Sequence, residues 1–294
     1  MSMIEVRSIS KTIKEKKILE DISFEIGEGE CVALIGPNGA GKTTLLSCLL
    51  GDWFVTSGDI RIEGRKVTDA VLKKVVGILP QENGVPASLT VQELIAFFQA
   101  IYLNPLSDKE VDELLDFSPE QKNQLAEKLS GGQKRLLSFV LTLIGRPSIL
   151  FLDEPTTAMD TSTRQRFWEI VHRLKESGVT LVYSSHYIEE VEHTADRILV
   201  LHQGRLLRDT TPFKMRSEEQ EKQFIIPSDY EAIITSWDNI YDMEVKHDRL
   251  SFMTKDVDAV WQALQKVNCP IAEIEMTNKT LLNTLFDTTK EEEK

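Results

Sequence analysis

The sequence has no apolar run near the ~20 residues that a membrane-spanning helix needs. Its strongest apolar stretches, such as Val179-Thr180-Leu181-Val182-Tyr183, are only strand-length. Direct insertion into a bilayer is therefore not expected. The first residues, Met1-Ser2-Met3-Ile4-Glu5, lack the basic segment and apolar core of a secretory leader. Cysteine is scarce: Cys31, Cys48 and Cys269 have no metal-like spacing and fit a reducing compartment. Cys31 and Cys48 sit among apolar neighbours and read as small core residues. A basic excess is missing too, with 34 Lys and Arg against 47 Asp and Glu and a net charge of -13. That balance disfavours nucleic acid, which is bound largely through phosphate neutralisation. It equally disfavours adsorption to anionic lipid. The expectation is a cytoplasmic chain that reaches a membrane only through a protein partner. No internal repeat and no heptad run is visible.

What is present has the profile of a soluble globular protein, with 41% hydrophobic and 28% charged residues. The 294 residues suffice for one large domain and a small one. From Ile4 to about Pro212, strand-like and helix-like segments alternate. Glu30–Ile35, Ser148–Asp153 and Val179–Ser184 read as buried strands. Thr43–Leu50 and Thr161–Glu176 read as helices, the second with Phe167, Ile170, Val171 and Leu174 on one face. Such alternation predicts an α/β domain with a mainly parallel sheet. Ile4–Ile9 and Ile18–Ile26 read as an antiparallel β layer, and Thr90–Lys128 as helical throughout. Residues 1–215 are thus expected to form the main domain, with a helical lobe at about 85–145.

The charged run at 216–222 reads as a linker or exposed helix. Residues 223–288 then follow a β-α-β-β-α-β order, the order of a small α+β, ferredoxin-like unit. Its strands are read at Gln223–Ile226, Tyr241–Lys246, Arg249–Thr254 and Ile271–Met276. Its helices are read at Asp229–Trp237 and Val257–Val267, with Ser228 and Asp256 as caps. A last helix, Thr280–Phe286, precedes an acidic tail at 289–294 that is expected to be disordered.

The main domain carries three motifs. Gly36-Pro37-Asn38-Gly39-Ala40-Gly41-Lys42-Thr43-Thr44 fits G-x-x-x-x-G-K-[ST] between a predicted strand and a predicted helix, as a P-loop must. Its glycines let backbone N–H groups curl toward one point, and the helix start adds positive potential for phosphate. Lys42 can reach the β- and γ-phosphates, and the Thr43 hydroxyl can bind Mg²⁺. The second motif is an apolar strand that delivers Asp153 and Glu154 at its C-terminal end, where open α/β sheets bind ligands. There Asp153 can hold Mg²⁺ through its water shell, and Glu154 can orient and partly deprotonate an attacking water. The third is Leu129-Ser130-Gly131-Gly132-Gln133, a second Gly-containing helix start and so a second anion site. Two phosphate sites in one domain fit either an intramolecular pair or a composite site shared by two subunits.

Together these motifs resemble the nucleotide-binding domain of the ATP-binding-cassette family, over roughly Ile4–Pro212. LSGGQ is far more specific to that family than a P-loop alone. The resemblance implies an ATPase in which two copies pack head to tail. The P-loop of one and the LSGGQ of the other then clamp the same ATP. It implies a homodimer that sandwiches two ATP with Mg²⁺, and a separate transmembrane permease on the cytoplasmic face of the membrane. Gln81 stands where the family glutamine contacts Mg²⁺ or water and senses the transport partner. Asp160 stands at the family's interface aspartate, with Met159 in place of the usual Leu. His186 stands at the switch histidine that contacts the γ-phosphate. Glu154, His186 and Lys42 are the implied catalytic set, and Thr43, Gln81 and Asp153 the implied Mg²⁺ set.

Apolar Phe97, Phe98, Ile101 and Tyr102 lie in the helical lobe, where they read either as a permease contact or as core. The C-terminal segment Thr280–Phe286 is similar to the tail of bacterial drug, antibiotic or bacteriocin exporters of the ABC-2 type. Alternatives within the superfamily are a soluble ATPase working on ribosomes or nucleic acid, and an ATP-bound regulator without turnover. The single P-loop, the missing coiled coil and the acidic balance speak against the first, and intact Glu154 and His186 against the second.

One position departs from the pattern: Ile13 stands where the family usually stacks an aromatic ring on adenine. An aliphatic contact keeps apolar burial and loses stacking. GTP is therefore expected to be tolerated better than usual, and Ile13→Tyr to tighten ATP binding. ATP and GTP competition binding checks this; no GTP hydrolysis together with unchanged ATP affinity in Ile13→Tyr overturns it.

Overall fold

The computed structural model describes residues 2–82, 84, 86, 88–218 and 221–278. The chain divides into two compact units, Met1–Pro212 and Phe213–Lys294. Unit 1 contains strands β1 (Ser2–Ile13), β2 (Lys16–Gly27), β3 (Cys31–Ile35), β4 (Ser57–Ile62), β5 (Arg65–Lys66), β6 (Val76–Leu79), β7 (Ile149–Leu152), β8 (Thr180–Ser185), β9 (Arg197–His202) and β10 (Arg205–Thr210). Its helices are α1 (Lys42–Leu49), α2 (Val91–Ile101), α3 (Asp108–Leu115), α4 (Pro119–Asn123), α5 (Gly131–Leu143), α6 (Thr161–Glu176) and α7 (Ile188–Thr194). The helix α8 (Pro212–Glu218) follows at the boundary.

The central sheet has the order β10-β9-β3-β8-β7-β6. β9, β3, β8, β7 and β6 run parallel, and β10 closes one edge antiparallel. Every residue of β3, β7 and β8 is buried, as expected of parallel strands covered on both faces. A second sheet, β2-β1-β4-β5, is wholly antiparallel. In β2 the buried Ile22, Phe24 and Ile26 alternate with exposed positions, so only one face joins the core. Helix α1 contributes Leu45, Leu46, Cys48 and Leu49 to a core shared by both sheets. The start of α1 is therefore fixed from two sides.

The helical lobe lies between β6 and β7. Its four α-helices open with the same local device: Thr90/Glu93, Ser107/Glu110, Ser118/Gln121 and Ser130/Gln133 all form capping boxes. The hydroxyl takes a backbone N–H three residues on, and the longer side chain returns to the cap's own N–H. The lobe is not helical throughout, because loops separate α2, α3 and α4. Among the described residues, no helix is long and apolar enough to cross a membrane.

Unit 2 contains β11 (Lys222–Pro227), α9 (Glu231–Ile234), β12 (Ile240–Lys246), β13 (Arg249–Thr254), α10 (Val257–Lys266) and β14 (Glu275–Asn278). Its antiparallel sheet has the order β12-β13-β11-β14, which with the β-α-β-β-α-β sequence is the ferredoxin-like arrangement. Asp256 caps α10 by accepting from the Ala259 N–H at 3.0 Å. Two expectations need correction. The helix expected at Asp229–Trp237 is a 3₁₀ turn (Ser228–Tyr230) followed by the one-turn α9, and Ser228 makes no side-chain cap there. The strand expected at Ile271–Met276 begins instead with a 3₁₀ turn at Ile271–Glu273, and β14 starts at Glu275. Pro270 directly precedes that turn and has no N–H for a ladder. The run at 216–222, read as a linker or exposed helix, is helical up to Glu218, and β11 begins at Lys222. The helix read at Thr280–Phe286 and the acidic tail lie outside the described residues.

The core of unit 2 is small, with Phe224 and Phe252 stacked at 5.6 Å between ring centroids. Phe252→Ala is expected to destabilise it by about 3–5 kcal/mol. Urea unfolding should reveal this as a transition at lower midpoint than in the unchanged chain.

Candidate functional site

The P-loop follows β3 directly and ends in α1. At Gly36 a Cβ would lie 2.3 Å from the Leu201 carbonyl oxygen, so no side chain fits. Gly41, the residue before α1, has φ 105°, and its Cβ would meet Leu19 at 2.8 Å. Both β2 and β9 thus press against the loop, and only glycine allows that approach. Lys42 is buried, 6% exposed. Its Nζ donates to the carbonyls of Gly36 at 2.7 Å and Pro37 at 3.2 Å. Burial pulls its pKa down, and the nearby charges of Glu154 and Asp153 oppose that shift.

Asp153 and Glu154 follow β7, and the neighbouring strand end holds both. The Ser184 hydroxyl of β8 donates to Asp153 Oδ1 at 2.5 Å and accepts the Glu154 N–H at 2.8 Å. Glu154 itself has a left-handed backbone, φ 45°. Non-glycine residues seldom adopt that conformation, and it tends to persist where function needs it. The turn aims the Glu154 carboxylate between two residues from other strand ends. Oε2 is 3.5 Å from Gln81 Nε2, and Oε1 is 3.6 Å from His186 Nδ1. These distances are long, as in catalytic sites that tighten only with substrate. The turn carrying His186 is braced by Ser185, whose Oγ accepts the Tyr187 N–H at 2.9 Å.

Thr43, Gln81 and Asp153 line one cleft of about 380 Å³, together with Ser47 and Asp52. All three offer oxygen donors, which suits a hard cation such as Mg²⁺. Among the described residues, no group of three His, Cys, Asp or Glu side chains could by itself hold a metal.

The Ser130–Gln133 segment does not line this cleft. It packs instead on the loop before α6: a Cβ on Gly132 would lie 3.2 Å from Met159 Cα. The Ser130 Oγ accepts the Gln133 N–H at 3.2 Å. Asp160 caps α6, accepting from the Thr163 N–H at 2.9 Å and from the Ser162 hydroxyl at 2.7 Å. The Thr163 N–H, with the Ser162 and Thr163 hydroxyls, lowers its pKa to about 2. Ile13 ends β1, half-buried, one residue before the turn into β2.

The structure therefore gathers Lys42, Thr43, Gln81, Asp153, Glu154 and His186 at one edge of the sheet, and places Ser130–Gln133 beside Asp160. Sequence reasoning missed two residues. Ser184 carries no motif of its own. Arg135 is 1% exposed, and its guanidinium reaches the carbonyls of Pro80, Gln81, Asp153, Glu154 and Pro155. A buried Arg just after LSGGQ was the only available hint.

Residues 19–157 match the family model described as ABC transporter. The linearmycin resistance ATP-binding protein LnrL of Bacillus subtilis (strain 168) is 36% identical over 211 residues, covering 70% of this chain and 68% of the relative. The Nod factor export ATP-binding protein I of Rhizobium sp. (strain N33) is 34% identical over 221 residues, covering 73% of each. A solved dimeric ATP-binding cassette, in a post-hydrolysis state bound to ADP and Pi, aligns with a TM-score of 0.64 at 26% identity, covering 71% of this chain and 99% of that one. A bacterial Atm1-family ABC exporter with ATP bound aligns with a TM-score of 0.65 at 29% identity, covering 73% of this chain and 39% of that one.

The Asp160 cap gives a pH-dependent prediction. Its folded pKa lies below the ~3.9 of an unfolded aspartate, so its stabilisation is full at neutral pH and fades as the pH falls from about 4 toward 2. Asn at this position caps without titrating. The stability difference between the unchanged chain and Asp160→Asn should therefore shrink on acidification, read from melting temperatures across that range.

Proposed function

This chain belongs to the ABC transporter family as one of its ATP-binding subunits, and from that premise we propose how its residues divide the work. The subunit hydrolyses ATP, and the energy drives transport through a membrane partner. The P-loop amides of residues 36–44 cradle the phosphates, and Lys42 turns from its carbonyl partners to the β- and γ-phosphates. Thr43, Asp153 and Gln81 would hold Mg²⁺, which would supply charge neutralisation at the phosphoryl oxygens. Glu154 orients the attacking water and takes its proton, and His186 faces the γ-phosphate. The observation that carries this reading is the meeting of Gln81, Glu154 and His186 from three separate strand ends.

The chain's own Ser130–Gln133 faces another loop, so the reading assigns that segment to ATP held by a second copy. Two copies then sandwich two ATP head to tail. ATP favours the closed pair because only there does it touch both subunits. Hydrolysis and phosphate release weaken the bridge, and the cycle of closing and opening moves the permease. The side chains of Phe97 and Ile101, each 58% exposed on α2, and of Ile78 near the cleft suit a permease contact on the cytoplasmic face. Phe98 and Tyr102 are half-buried and belong partly to the lobe's own packing. Relatives named for linearmycin resistance and for Nod factor export favour export as the direction.

Glu154→Gln is expected to lower turnover by roughly 10²–10⁴-fold while leaving ATP binding intact and accumulating an ATP-bound dimer. Phosphate release and size-exclusion chromatography with ATP check this. Turnover at the unchanged rate overturns the assignment of Glu154.

A further inference from the structure

We propose that Arg135 is a positioning residue that couples the two ATP sites of the dimer; the inference rests on the head-to-tail reading above. Arg135 sits one turn into α5, four residues after Gly131. The start of this helix serves the ATP held by the partner. Its side chain serves the other site, in its own subunit.

A guanidinium has five N–H donors in a rigid fork. Among the described residues that fork reaches five backbone carbonyls. Nε donates to Pro155 at 3.1 Å. Nη1 donates to Pro80 at 2.5 Å and to Gln81 at 3.1 Å. Nη2 donates to Asp153 at 2.6 Å and to Glu154 at 3.2 Å. These carbonyls belong to the loop after β6 and the turn after β7, the two segments that carry Gln81 and Glu154. Both segments lie beyond the last ladder pair, Leu79 with Leu152, where the Asp153 N–H bond to the Leu79 carbonyl and the Ser184 hydroxyl hold the turn after β7 but leave Gln81 untied. Arg135 joins them from behind. Burial lowers its pKa to about 10, and the charges of Asp153 and Glu154 resist the shift, so it remains a cation at neutral pH.

Burying a cation is costly unless its partners are well placed. Apolar packing would fill the same space at lower cost, but it would not tie the helix to both backbones. A shift of α5 when it engages the partner's ATP is passed through the fork to the carbonyls of Gln81 and Glu154. Each site then becomes competent only when the other is occupied.

The test uses the full chain with Arg135→Lys and Arg135→Met. Lys keeps the charge but presents a point donor in place of a fork. Met keeps an unbranched side chain without burying an ammonium, and it removes the fork's donors altogether. Melting temperatures identify the folded variants. The unchanged chain should hydrolyse ATP with a Hill coefficient approaching about 2, the number of sites. In the folded variants kcat should fall roughly 10–100-fold, ATP affinity of the monomer should stay within about twofold, and the Hill coefficient should fall toward 1. A purely structural role would lower the melting temperature and leave the Hill coefficient unchanged. A folded Arg135→Met chain with the unchanged Hill coefficient, whatever its kcat, overturns the proposal. If the unchanged chain shows no turnover at all, the proposed ATPase roles fail first and this inference falls with them.

Discussion

The parallel pairing of β3, β8, β7 and β6 is the constraint on which the site depends. Parallel neighbours end at the same edge of a sheet. Here the registers Ile35 with Ser185, Leu152 with Tyr183 and Leu79 with Leu152 keep those ends level. The P-loop, Gln81, the Asp153–Glu154 pair and His186 each leave a strand at that edge. Residues far apart in sequence therefore meet at those ends, where Ser184 and Arg135 hold the turns that carry them. The covered faces of β3, β7 and β8 make a register slip expensive, because a one-residue shift would exchange the two faces of each strand.

This explains which parts were legible in the sequence. The P-loop, LSGGQ and the two carboxylates after β7 are local patterns, and each keeps its meaning when read alone. The strand–loop–helix alternation added their order, and hence the sheet. Ser184 and Arg135 were not legible because their roles exist only across the fold. Ser184 lies 31 residues from Asp153, and Arg135 lies 55 from Pro80. Ser184 has no neighbour in sequence that marks it, and Arg135 has only the LSGGQ two residues before it. In unit 2 the misread segments were the weakest ones. The helix after β11 shrank to a 3₁₀ turn and the one-turn α9, and β14 was delayed by the turn after Pro270. By contrast α10, with a strong apolar face and the Asp256 cap, was read nearly to its last residue.

Several groups in the site serve two purposes at once. Ser130 and Gln133 close the start of α5 on themselves, and the same start is the proposed contact for a neighbouring nucleotide. Asp160 caps α6 and stands in the loop against Gly132. Glu190 joins in as well: it accepts from the Thr156 hydroxyl at 2.9 Å and lies 3.2 Å from Arg164 Nε, while the Arg164 guanidinium lies over the ring of Tyr187, beside His186. Burial raises the pKa of Glu190. The structural scaffold and the working surface are made from the same side chains. Exchanging one of them therefore disturbs both.

The helical lobe has one more consequence, which concerns how the chain folds. Its residues leave the sheet at β6 and return at β7, two adjacent strands, so the whole lobe is one large excursion between neighbours. Closing such an excursion carries an entropy cost that grows only with the logarithm of its length. Its α-helices are short, and each is started by a capping box that needs only four consecutive residues. Much of the lobe can thus organise early from local contacts, before the slower long-range pairing of the parallel strands. The same economy makes the part of this excursion before α5 the cheapest to vary in length, since α5 itself is tied through Arg135 to the turns after β6 and β7.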